Sequence, residues 1–150
     1  MQLSYLWIFL VIALALAPLT HFIPTKRQRG VARMREYAAV NGLFVEFRRA
    51  PGAADSDRAR TLYYGKRLPP TRGEDRLTQA WLRRKDEWKG HNHRTKPRSA
   101  LRILPRQIAA ASIDEASCGV YWQEEGGIDE VELIVDALRA WAGNLATNLA

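Results

Sequence analysis

Residues 3–23 read LSYLWIFLVIALALAPLTHFI, a run without a single Asp, Glu, Lys or Arg. As a helix rising about 1.5 Å per residue it covers about 31 Å, which matches the roughly 30 Å hydrocarbon core of a bilayer. Tyr5 and Trp7 sit near one end, where amphipathic rings favour the headgroup region. Pro18 and His21 fall in the last turns, where a kink or a polar group costs less than at the centre. No polar face interrupts the segment, which disfavours a buried core helix. The stretch predicts a single transmembrane helix, with residues 1–24 as an anchor.

Its flanks set the orientation. Nothing basic precedes the run, whereas Lys26, Arg27, Arg29, Arg33 and Arg35 follow it closely. By the positive-inside rule the N-terminus faces out and the rest of the chain lies in the cytoplasm. The same five side chains can hold anionic headgroups, at roughly 1 kcal/mol each. A cleaved signal peptide competes, because Ala15-Leu16-Ala17 is a small-residue motif behind a short apolar core. Against it stand the missing basic n-region, Pro18 after the cleavage point and the basic cluster downstream.

Of the 150 residues, those beyond the anchor suffice for one small domain with one modest core. The lone Cys118 has no disulfide partner in the chain, which favours a reducing compartment. The net charge of +7 is unevenly spread: residues 24–106 hold 22 Lys/Arg against 8 Asp/Glu, and residues 107–150 hold only Arg139 against 8 acids. A basic front and an acidic rear suggest an acidic partner.

Along residues 25–42, Thr25 is placed to cap an amphipathic helix with Val31, Met34, Tyr37 and Ala38 on one face, and Asn41-Gly42 ends it. Residues 43–150 predict a small cytoplasmic α+β domain. Leu43, Val45 and Phe47 alternate with Phe44, Glu46 and Arg48 as in a half-buried strand, and a loop over Ala50–Arg60 leads to a second strand over Thr61–Leu68. Residues 77–90 fit either a helix or a hairpin turning at Lys85-Asp86, and strands are favoured. Leu101, Ile103 and Leu104 return the chain to the core. Two more strands follow over Ile108–Ile113 and Gly119–Gln123, then an amphipathic helix carrying Val131, Ile134, Val135, Leu138, Trp141 and Leu145. The fold class is α+β: a transmembrane helix, a juxtamembrane amphipathic helix, a small antiparallel, meander-like sheet and a C-terminal amphipathic helix.

No catalytic constellation stands out. His91-Asn92-His93 has metal-ligand character, but only His21 and Cys118 remain as further ligands, so a solvated loop is favoured. Cys118 has no neighbouring base that would make it a nucleophile. Glu124 and Glu125 would point to opposite faces of a strand, so they do not form an acid/base pair. No phosphate-binding glycine loop, no GxSxG and no paired-cysteine zinc pattern occurs. The chain reads as a non-enzyme without cofactor or metal. The stretch 83–106 holds nine Lys/Arg, among them Arg83, Arg84, Lys85, Lys89, Arg94, Lys96 and Arg98, with Trp81 and Trp88 nearby. Anionic lipid, an acidic protein surface and the chain's own acidic rear all suit this basic face, and a merely solvated face ranks at least level with any of them. Nucleic acid, with the tryptophans stacking on bases, is disfavoured.

PTKRQRG (24–30), NGLFVEF (41–47), YYGKRLP (63–69), Leu104-Pro105, YWQEEGG (121–127) and the terminal amphipathic helix come in an order that resembles a family of short gammaproteobacterial single-pass inner-membrane proteins. Members are sometimes labelled YajC, the accessory subunit of the Sec preprotein translocase. The chain departs from YajC itself, because no compact glycine-rich strand pattern follows the apolar segment. The resemblance implies the bacterial inner membrane and a non-enzymatic interaction or accessory role at its cytoplasmic face. Translocase components are the protein partner it suggests, and it carries over no functional residues.

Overall fold

The computed structural model describes residues 2–16, 25–52, 61–70, 78–92 and 99–147. The chain forms two compact units, Met1–Val31 and Ala32–Ala150. In the first, α1 (Gln2–Leu16) is a 15-residue helix whose side chains from Tyr5 to Leu16 are all exposed. It measures about 22 Å at the helical rise. Among the described residues no helix is long and apolar enough to cross a membrane. Residues 17–23, the rest of the predicted span, lie outside the described residues.

Helix α2 (Lys26–Val40) starts at the expected cap. The Gln28 amide N–H donates to Thr25 Oγ1 at 3.3 Å, and the Thr25 N–H donates to Gln28 Oε1 at 2.8 Å. This reciprocal capping box satisfies two amides that a helix start leaves open. At the other end Gly42 takes the left-handed conformation (φ +79°), and the amides of Gly42 and Leu43 close on the carbonyls of Ala39 and Ala38.

The second unit is built on one antiparallel six-stranded sheet. Its strands are β1 (Phe44–Arg48), β2 (Thr61–Arg67), β3 (Gln79–Arg84), β4 (Glu87–Gly90), β5 (Ala110–Ile113) and β6 (Ser117–Trp122), in the order β1-β2-β6-β5-β3-β4. Antiparallel pairing is as expected, but the sheet is not a meander, because the β5–β6 hairpin sits between β2 and β3. Composition explains the insertion. Every residue of β5 and β6 is buried, whereas β1 and β4 carry charge and occupy the edges. The described part of the ambiguous stretch forms a hairpin, β3 and β4, with Lys85-Asp86 as its turn.

One face of the sheet receives α3 (Ile128–Thr147). Val131, Ile134, Val135, Leu138, Trp141 and Leu145 are all buried, a stripe worth on the order of 10 kcal/mol before ordering costs. Trp141 meets Trp81 edge-on at 5.4 Å, and Tyr64 meets Trp122 the same way. Glu130 Oε2 accepts the Gly127 N–H at 2.7 Å, which fixes where the helix begins.

The opposite face carries a Tyr63–Ala110–Tyr121 cluster, with Phe44, Ala50 and Leu82 packed against it. The expected division of β1 is therefore reversed in part. Phe44 packs on Tyr63, and Phe47 is 60% exposed because an edge strand has no neighbour to cover it. Ile103 is likewise exposed, while Leu101 and Leu104 are core.

The β5–β6 hairpin is tied by Asp114, whose Oδ1 accepts the amides of Ala116 and Ser117 at 2.9 and 2.6 Å, while Oδ2 accepts Arg48 Nη1 at 2.9 Å. Partial burial opposes ionisation, yet these donors outweigh it and hold the carboxyl below its ordinary value. A depressed pKa adds stability that is complete above the unfolded value of 3.8 and is lost as pH falls through the lower folded one. Thermal unfolding followed between pH 5 and pH 2 should show a smaller drop in midpoint for Asp114→Asn than for the parent. An equal drop would remove Asp114 from the account.

Candidate functional site

Antiparallel register decides which side chains of the β3–β4 hairpin meet. Leu82 faces Lys89 across the ladder, and Arg84 faces Glu87. The His91 N–H extends the ladder to the Ala80 carbonyl at 2.8 Å, which puts His91 on the same face as Lys89. Arg84 and Lys89 are thus diagonal neighbours, and His91 follows two residues on. All three line a cleft of about 430 Å³, together with Gly52, Leu82 and Gly90 among the described residues. Among the described residues no carboxylate lines it. Glu87 stands 4.0 Å from Lys89 Nζ with both side chains exposed, a pair worth little.

Gly52 closes the cleft from the loop after β1. It holds a left-handed conformation (φ +73°), and a Cβ there would stand 3.0 Å from Leu82 Cδ1 and 3.6 Å from the His91 ring. A side chain at 52 would strain the backbone and push on the cleft wall, so glycine lets the loop lie close against the hairpin.

The other basic residues separate into distinct environments. Arg83 turns to the opposite face, where its Nη1 donates to the carbonyls of Leu104 and Pro105 and its guanidinium lies 5.2 Å from the Trp88 ring. It braces the end of the 3-10 helix Ser99–Ile103 and does not join the binding face. Lys85 sits exposed at the turn in a left-handed conformation, outside the cleft wall. Arg94, Lys96 and Arg98 lie outside the described residues. On α2, Lys26, Arg27, Arg29 and Arg33 are exposed. Arg35 is not available in the same way: its Nε and Nη2 donate to Glu124 Oε1 and Oε2, both at 2.7 Å, and Tyr64 Oη donates to Oε1 at 2.7 Å. The hydrogen bonds to Glu124 raise the Arg35 pKa further. Burial, then Glu124, raises that of Tyr64.

Neither Trp81 nor Trp88 can stack on a base. Trp81 is fully buried and Trp88 is 9% exposed, so neither presents a face to a base. Cys118 is buried on the α3 side of the sheet, opposite His91, so the two cannot share an ion. Among the described residues no group of three metal-ligating side chains occurs; His21 and His93 lie outside them. Glu124 is buried and Glu125 exposed, both beyond the end of β6. His91 joins Arg84 and Lys89, although by sequence it reads as part of a solvated loop or, less favoured, as a metal ligand. The Lys89-x-His91 spacing on a strand was the available signal.

No family model, curated protein or solved structure matches this chain.

Proposed function

We propose that this chain is a membrane-anchored, non-enzymatic interaction module whose α+β domain stands at the cytoplasmic face of the bacterial inner membrane and works through the β3–β4 hairpin. The observation that supports it is α1, apolar on every side and exposed from Tyr5 to Leu16, with the exposed cations of α2 beginning ten residues on at Lys26. A helix with no polar face is stable only in an apolar medium. The uncharged sequence continues to Ile23, which brings the apolar length to that of a hydrocarbon core. An accessory role at the translocase rests on the sequence resemblance alone. The cations on the cleft wall, which carries no carboxylate among the described residues, favour an anionic partner for the hairpin.

Fusions of a C-terminal reporter test the anchor and its orientation. The parent chain should resist alkaline extraction from membranes and activate only a cytoplasmic reporter. The quadruple substitution Lys26→Glu, Arg27→Glu, Arg29→Glu and Arg33→Glu should weaken or invert that orientation. Arg35 is left intact because Glu124 needs it. Release of the parent by alkali, or an unchanged orientation in the variant, would sink the reading.

A further inference from the structure

We propose that the cleft between Gly52 and the β3–β4 hairpin is a binding site for a phosphate group, held by Arg84, Lys89 and His91. This rests on the hairpin being the working face, but not on the anchor. The three side chains offer complementary donors from one rigid strand pair: a planar guanidinium fork, a compact ammonium and an imidazole N–H. A carboxylate is saturated by one bidentate arginine, whereas a phosphate monoester carries nearly two charges and three acceptor oxygens, which calls for several donors converging from different directions.

The surroundings favour the same ligand. The cleft of about 430 Å³ falls within the range of small-ligand sites and holds a phosphate with a small organic substituent, for which Leu82 supplies an apolar wall. Among the described residues no acid lines it, and Asp86 at the hairpin turn lies 3.7 Å from Arg106 instead. A nucleic acid strand is disfavoured because Trp81 and Trp88 are buried and leave the hairpin without a stacking platform. The phosphate can come from a lipid headgroup or from a soluble phosphate ester, and both present the same chemistry to the cleft.

The test uses the full chain in neutral detergent micelles, titrated calorimetrically with inorganic phosphate. Saturable binding is expected. It should weaken at least tenfold in the double variant Arg84→Gln/Lys89→Gln and stay unchanged in Lys85→Gln, which alters an exposed charge beside the cleft. Thermal melts of each variant verify that the domain is folded. Doping the micelles with phosphatidic acid separates the sources: competition with inorganic phosphate assigns the site to a lipid headgroup, and its absence assigns it to a soluble phosphate. Non-saturable binding, or equal affinity in the double variant and the parent, overturns the proposal. So does an oligonucleotide that binds more tightly than phosphate and loses affinity equally in Lys85→Gln. A chain that binds phosphate but fails the alkaline-extraction test keeps the site and loses the anchor.

Discussion

Replacing Arg35 by methionine is expected to destabilise the α+β domain by about 3–4 kcal/mol, an effect large enough to populate the unfolded state in a small domain. The reason is asymmetry within the Arg35–Glu124–Tyr64 triad. The Glu124 side chain is 5% exposed, so deleting its cation leaves a buried carboxylate with only the Tyr64 hydroxyl. The reverse change costs less. Arg35 keeps 41% of its side chain in solvent and rehydrates when Glu124→Gln removes its partner, for a loss of about 2 kcal/mol. Because the two share one interaction, the double variant should lose less than the sum of the singles. Denaturant unfolding of the four proteins measures the cycle. Equal losses for the two single variants, or strict additivity, would contradict it. A juxtamembrane arginine serving only the membrane would leave the melting curve where it was.

A single methyl group at position 119 should cost about 3 kcal/mol. Gly119 lies in the central strand β6 opposite Gly65, and a Cβ there would stand 2.5 Å from the Tyr64 carbonyl oxygen and closer still to the Tyr63 ring. Tyr63 cannot move aside freely, because it is packed against Phe44 and Tyr121 and its hydroxyl lies 3.2 Å from Ser117 Oγ. Overpacking of this kind forces backbone shifts at about 1–3 kcal/mol, and the backbone contact puts Gly119→Ala at the upper end. The opposite sign is expected at Gly30, a helical position in α2 with nothing within 4 Å of its Cβ direction. Gly30→Ala should be neutral or stabilise by about 0.5–1 kcal/mol. Melting curves of the two variants read both effects. A harmless Gly119→Ala would mean that the Tyr63 ring is not seated as described.

What could be read in advance depended on how locally each feature is encoded. The N-cap at Thr25, the stop at Gly42 and the stripe on α3 all follow from residues close together in the chain, and each is legible; the reciprocal bond from Gln28 is a finding of the structure. The Lys85-Asp86 turn was legible too, although residues 77–90 admitted a helix until the strands found their partners. The candidate site was half legible. Arg84 and Lys89 were picked out by charge, but Arg83 was grouped with them, although adjacent residues on a strand face opposite ways and only the register shows which face holds the cleft.

The sequence alone determined the uncharged run over residues 3–23, its basic flank, the α+β class and the positions of most elements, because periodicity, capping and turn chemistry act over short distances. Tertiary structure decided the rest. The β5–β6 hairpin took the centre of the sheet because its strands could be buried on both faces. Arg35 was drawn from the basic cluster of α2 to Glu124, 89 residues away, since a buried carboxylate needs a cation. His91 came to Arg84 and Lys89 through a ladder bond to Ala80, and Gly52 closed the cleft from a distant loop. Most of these depend on contacts between segments far apart in the chain, and the His91 placement on strand register, neither of which composition and spacing encode.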